Sequence, residues 1–311
     1  MLVGGAAVRV YDLRAGERIA THAAGGPWVD LSPSGRWLAT TDGSVRDAVS
    51  GELMWRAPYS GMPRFVDDER VLMLSRGRAT LWGWRGGIAL ADIDDDRLDP
   101  TASARVVFGP EGLVAVADPA GDRLALFSLD EVRAVPLDGD GQPAVDAAFS
   151  SSGLWAVQSG ALQHHHLPSG DCTERRQQGK QHLSVAAASG AVAWTTIGMD
   201  DTYLLHYGDG AGEGYALPGR APPCPSLRHT AAGWLVELWA GVALHRGGRL
   251  LHQLRLPVGR DGARPLLSGR SALAAGGRLL LACQPPLAPY VYRLDDLSFE
   301  ARLEAEPPRA P

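Results

Sequence analysis

Three consecutive histidines, His164-His165-His166, are the side chains in this sequence best suited by type to hold a metal ion. On a strand, His164 and His166 would face one way and His165 the other, because successive side chains alternate. Two imidazoles bind zinc only with further ligands, and no cysteine or carboxylate stands at a suitable spacing nearby. The expectation is a polar outer strand with no bound metal and no cofactor. Cys172, Cys224 and Cys283 are far apart and odd in number, and no C-x-x-C occurs. Neither a zinc ribbon nor a disulfide scaffold is expected of them.

Nucleotide and acyl-transfer motifs fail on spacing. Gly170 is too far from Gly179-Lys180 for a P-loop, and Gly208-Asp209-Gly210 runs on to Glu213 where a dinucleotide fingerprint needs glycine. Gly269-Arg270-Ser271-Ala272-Leu273 is not a nucleophile elbow. The carboxylates are more suggestive. Ala91–Pro100 carries Asp92, Asp94, Asp95, Asp96 and Asp99, and Leu137–Gln142 carries Asp138 and Asp140. Asp138-Gly139-Asp140-Gly141 opens as a calcium loop would, but too few oxygens follow to complete a site.

The elements that must position these groups are short strands. Trp28–Leu31, Arg36–Thr40, Ser44–Ala48 and Glu52–Trp55 alternate apolar and polar residues. Between them stand Ser32-Pro33-Ser34-Gly35, Asp42-Gly43 and Ser50-Gly51, which is hairpin chemistry. The unit recurs. Inner hairpins follow at Phe65–Leu74, Val106–Val116, Ala147–Val157, Val185–Trp194, Leu227–Leu238 and Leu266–Cys283. Outer hairpins follow each at Thr80–Leu90, Arg123–Val135, Leu162–Thr173, Tyr203–Leu217, Val242–Leu254 and Tyr290–Leu303. The turn glycines Gly35, Gly112, Gly153, Gly190, Gly233 and Gly277 are 77, 41, 37, 43 and 44 residues apart. The first interval is double, because the second unit turns at Asp67-Asp68-Glu69 without glycine. A period near forty marks propeller blades. No window carries a helical apolar period. Trp37, Trp55, Trp155, Trp194 and Trp234 hold repeating strand positions and are expected between blades in the core.

The Trp28–Trp55 unit resembles a blade of the WD40-type β-propeller family. Ser32-Pro33-Ser34-Gly35, Trp37-Leu38-Ala39, Asp42-Gly43 and Val45 match that pattern, with Arg46-Asp47 in place of the Trp-Asp pair. Tyr11-Asp12 of a first hairpin, Val8–Leu13 and Arg18–His22, holds the Trp-Asp position too. The family's Gly-His dipeptide is absent, so its buried Asp-His hydrogen-bond network is expected to be incomplete. Asp42, Asp122 and Asp201 stand at turns entering outer hairpins, where the resemblance implies turn-capping. The competing expectation, metal ligands in an axial channel as in propeller lactonases, meets a chain without a single asparagine.

The expected architecture is therefore all-β, a β-propeller of four-stranded antiparallel blades forming a single domain over residues 1–304, with a frayed tail at 305–311. Seven blades, with the first hairpin clasping the last, are preferred over eight with one incomplete. In a propeller, the inter-blade connectors and mid-blade loops open on one face. That face would be acidic at Ala91–Pro100 and Leu137–Gln142, with Asp118 and Asp122 between them, and basic at Arg175, Arg176, Lys180, Arg220, Arg260 and Arg264. Asp94, Asp95, Asp96, Asp138 and Asp140 are expected to bind a basic protein partner, since like charges crowded together gain nothing for folding.

Composition bounds the rest. A net charge of −5 argues against nucleic-acid binding. Apolar runs are too short to span a membrane. Arg9 stands where a signal peptide would carry its apolar core, so the cytoplasm is expected. One lysine, Lys180, against 29 arginines, together with the missing asparagine, fits a GC-rich bacterial genome. These features point to a non-catalytic interaction scaffold, one subunit of a bacterial multiprotein assembly. A propeller hydrolase with a channel metal, and a small-ligand sensor, are the alternatives.

Overall fold

The computed structural model describes residues 2–3, 7–12, 15, 17–23, 25–100, 104–118, 123–137, 144–167, 171–175, 181–188, 191–198, 200–208, 214–218, 221, 226–238, 241–255, 267–274, 278–283 and 290–302. None of them is helical. Seven four-stranded antiparallel sheets follow one another, each a meander whose strands pair in chain order. Blade 1 is Val29–Leu31, Trp37–Thr40, Ser44–Asp47 and Leu53–Arg56. Blade 2 is Met62–Phe65, Arg70–Ser75, Arg78–Gly83 and Ile88–Asp94. Blade 3 is Arg105–Phe108, Leu113–Asp118, Arg123–Ser128 and Arg133–Val135. Blade 4 is Ala144–Ser150, Gly153–Gln158, Ala161–His166 and Cys172–Arg175. Blades 5, 6 and 7 begin at Gln181, Leu227 and Leu267 and end at Ala216, Arg255 and Arg302.

Packing divides the chain into two compact units. One holds Met1–Asp12, Arg18–Ser159 and Gln163–Glu174, and the other Leu13–Glu17, Gly160–Leu162 and Arg175–Pro311. In the first unit, the period-two pattern is buried on both sides. Val71 and Met73 pack with Trp37, Val45 and Trp84 of the blade 1 seam, whereas Leu72 and Leu74 pack with Val114, Val116 and Phe127 of blade 3. One face of a sheet cannot be left wet when the strand is apolar on both, so each blade needs two neighbours. The next strand repeats the device, with Ala115 and Ala117 turned toward Ala147, Leu154 and Ala156 of blade 4. In the second unit, Trp234, Val236 and Leu238 pack with Ala193, Tyr203 and Leu205, while Leu235, Val242 and Leu244 meet Tyr292 and Leu294.

Among the described residues, the strands of the first hairpin pair with one another and with Leu2–Val3. They make a separate three-stranded sheet, and blade 7 is completed by four strands of its own. Val8 of that sheet packs on Leu38 and Ala48 of blade 1, and the His22 ring is bonded to the Ala48 carbonyl at 2.8 Å. The tail from 303 lies outside the described residues.

Outer strands would be sticky edges if left regular. Four of them carry an extra, unpaired residue instead, marked by register shifts opposite Val45/Arg46, Leu81/Trp82, Leu244/His245 and Val291/Tyr292. Such bulges twist the edge out of pairing geometry.

Candidate functional site

The acidic stretch after blade 2 is built differently from a uniform surface loop. The outer strand runs to Asp94, so Asp92 and Asp94 lie on the sheet, opposite Thr80 and Arg78. Arg78 grips Asp92 with two nitrogens, one at 2.7 Å, and Thr80 adds a hydrogen bond at 2.8 Å. That grip holds the Asp92 carboxyl below its ordinary range against the opposing effect of burial. Asp94 and Asp96 are exposed, but Asp95 is buried. Burial alone would raise the Asp95 pKa; hydrogen bonds from the Arg97 side chain and backbone more than reverse it. The Arg97 guanidinium approaches Asp95 to 2.7 Å, and the Asp95 backbone nitrogen donates to the Gly77 carbonyl at 3.0 Å. Asp95 thus folds this loop, engaged by Arg97 and by the Gly77 carbonyl. Asp138 and Asp140, and Asp122, lie outside the described residues.

The histidines alternate as expected. His164 stacks on Trp155 with centroids 4.2 Å apart, and His166 meets the His164 ring edge-on on the same side. His165 points the other way, fully buried, and bonds Gln158 at 3.0 Å. Among the described residues, no cluster of three or more His, Cys, Asp or Glu groups could hold a metal. Because His164 is buried, it has a packing role that its sequence position did not announce. His164→Gln is expected to lower unfolding free energy by about 1 kcal/mol through the lost stack. His166→Gln, at an exposed position, is expected to cost less than about 0.5 kcal/mol. Urea titration of the two variants checks the difference.

Asp42 caps its turn, accepting from the Ser44 hydroxyl at 2.8 Å and from Arg56 at 3.0 Å. Burial opposes ionisation there, yet these bonds and that of Thr40 hold its pKa low. Blades 1, 4 and 5 also have buried polar bonds between strands, and blade 2 a part-buried one. Thr40–Ser44, Gln158–His165, Ser184–Thr195 and Thr196–His206 are bonded at 2.7, 3.0, 2.6 and 2.9 Å, and Thr80 bonds Asp92. These bonds join different pairs of strands from blade to blade, so no repeated dipeptide marks them.

Two further features carried no obvious sequence signal. The first is a seam between the outer hairpins of blades 1 and 2. Trp55 and Trp82 touch with centroids 5.4 Å apart, and Trp55 covers Gly87. Around that seam Val49, Leu53, Met54, Ile88 and Leu90 are 44–61% exposed. Met54 and Leu90 are the bulged residues of their strands, so the bulges that blunt the edges also turn apolar side chains outward. The second is a pair of recesses at the hairpin-turn ends of blades 2 to 4, the end opposite the acidic connector. The larger, about 440 Å³, lies between the turns of blades 3 and 4; the smaller, about 320 Å³, lies between those of blades 2 and 3. The turn at Gly112 was legible, but the space beside it was not.

No protein-family model and no curated protein sequence matches the chain. Solved structures do. The chain is similar to dihydro-heme d1 dehydrogenase NirN in complex with DHE, with TM-score 0.65 and 18% identity over 98% of this chain and 72% of that one. It is similar to apo AztD from Citrobacter koseri, with TM-score 0.59 and 15% identity over 97% and 92% of the two chains. Hsv2 of Kluyveromyces lactis gives TM-score 0.55 and 11% identity over 85% and 92%. Identities this low speak to the fold alone. Seven consecutive four-stranded meanders, with propellers as their structural neighbours, make this chain a seven-bladed β-propeller.

Proposed function

We propose that this propeller is a non-catalytic interaction platform of the WD40 kind, a subunit of a multiprotein assembly in a bacterial cytoplasm. The observation that carries the reading is the apolar seam of blades 1 and 2. Leu53, Met54, Ile88 and Leu90 stand out from two adjacent outer hairpins, and none of the four is among the residues that pack in the core beneath them. Solvent exposure of contiguous large apolar side chains is costly, and on soluble proteins it marks surfaces that another chain covers. Bulged edges bar strand addition there, so recognition would run through side chains. Asp94 and Asp96 are exposed on this connector, where a basic partner would meet them, while Asp95 is buried against Arg97.

The test is site-specific cross-linking in the native host. A photoreactive side chain at position 53 or 88 should give the same discrete adduct, and one at exposed Glu300 should not. Leu53→Ser with Ile88→Ser should weaken capture of that partner about tenfold or more, with an unchanged melting temperature. Absence of any adduct above background from either seam position would overturn the assignment.

A further inference from the structure

We propose that the two recesses flanking the first turn of blade 3 form one docking groove for an extended peptide segment that carries an arginine or lysine between apolar side chains. This rests on the platform reading and adds to it a second surface with its own chemistry. The recesses share Leu113 and Asp130 in their walls, so the turn of blade 3 is a ridge between them. Each has an apolar floor: Val135, Phe149 and Leu167 in the larger, Val66, Phe108 and Leu129 in the smaller.

Charge decides what would lie on the ridge. Both arginines of the groove are engaged by their own hairpins, Arg133 by Glu131 at 2.6 Å and Arg70 by Asp67 at 2.7 Å. Glu111 and Asp130 are exposed, and among the described residues neither has an ion-pair or hydrogen-bond partner. The ridge is thus left with two uncompensated carboxylates between two apolar recesses. Asp130 lies directly over Gly112, where a Cβ would come within 2.6 Å of its carboxyl carbon. A basic side chain placed on the ridge would neutralise them and pack its aliphatic stem on the rims. Its extended neighbours could enter the recesses on either side.

Folding does not ask for a glutamate here. Leu113 donates to the Pro110 carbonyl at 3.0 Å across a two-residue turn, and Glu111 and Gly112 have φ of 54° and 67°. Glycine would meet that geometry more easily than glutamate. Glu111→Gly is therefore a variant that removes a carboxylate while relieving the backbone.

The experiment pans a displayed library of random nine-residue peptides against the whole chain. It then measures an enriched, fluorescein-labelled peptide by anisotropy. Enriched sequences should carry arginine or lysine with apolar residues on both sides. Glu111→Gly and Asp130→Asn should each weaken binding about fivefold, with the melting temperature of Glu111→Gly equal to or above that of the parent. Ser151→Trp, which fills the larger recess, should weaken it at least as much. Leu53→Ser with Ile88→Ser should leave it unchanged, so failure of the seam and failure of the groove are read separately. No enrichment of basic-apolar sequences, or binding indifferent to all three groove variants, overturns the proposal.

Discussion

Gly153→Ala and Gly233→Ala are each expected to cost about 3 kcal/mol or more, a large share of a domain's usual stability. Both glycines open the second strand of a blade, with φ of 144° and 141°, a region only glycine enters readily. Space is the larger obstacle. A Cβ on Gly153 would overlap the carbonyl oxygen of His165, and one on Gly233 that of His245. Those are backbone atoms of the adjoining strand, and no rotamer can relieve the overlap. Each turn is closed by a hydroxyl three residues earlier. Ser150 donates to the Gly153 carbonyl at 3.3 Å, and Thr230 to that of Gly233 at 2.8 Å. Gly77→Ala is the control: φ is 71°, but nothing stands within 4 Å of the added methyl, so about 1 kcal/mol is expected. Urea unfolding should rank the three variants in that order. Equal stability of Gly153→Ala and Gly77→Ala would show that the second and third strands of blade 4 do not approach so closely.

Those two glycines belong to the series whose spacing near forty residues made the repeat legible. Local chemistry sufficed for it, since turns with positive φ select glycine wherever they recur. The glycine-free turn of blade 2 was legible for a related reason. Asp67 accepts the backbone N–H groups of Glu69 and Arg70 at 2.9 and 2.7 Å, doing with a side chain what glycine does with conformational freedom. Strand bounds in blade 1 came within a residue, because alternation and punctuation there agree. The separate sheet of the first hairpin was not legible, because it depends on which strand lies beside it. The pairing of Leu2 with Val10 joins it to a dipeptide too short to read as a strand.

The site was less legible, and the reason is distance along the chain. In Ala91–Pro100 every aspartate looks alike, yet their surroundings are set by Arg78, Thr80 and Gly77 on the neighbouring strand and turn. The recesses depend on the gap between Glu111, Asp130 and Phe149, which belong to different hairpins. The seam's apolar residues read as ordinary strand positions until the bulges at Met54 and Leu90 turned them outward.

Asp95→Ser is expected to destabilise the protein by about 2–3 kcal/mol at neutral pH, while Asp94→Ser costs less than about 0.5 kcal/mol. The asymmetry follows from burial. The side chain of Asp95 is 5% exposed and its partner Arg97 22%, so removing the carboxylate takes away a charge-assisted contact of 2.7 Å from a largely desolvated site. The same carboxylate accepts the Arg97 backbone N–H at 2.9 Å, which shapes the loop that returns to Gly77. Changing Asp94, Asp95 and Asp96 together to serine, which sequence reasoning expects to be harmless, should therefore carry the whole cost of Asp95. The pH dependence gives an independent reading. Burial would raise the Asp95 pKa but its bonds to Arg97 lower it, so the folded value lies below the unfolded value of about 3.9. Stability from this group is then complete above that unfolded value and lost as pH falls through the folded one. Asp42, Asp67 and Asp92, whose pKa values are also lowered, act equally on parent and variant. The gap in unfolding free energy between parent and Asp95→Ser should accordingly hold steady from pH 7 to pH 5 and shrink below about pH 4. A gap that persists undiminished to pH 2 would assign the loss to packing and not to the ion pair, and no gap at pH 7 would return Asp95 to the surface.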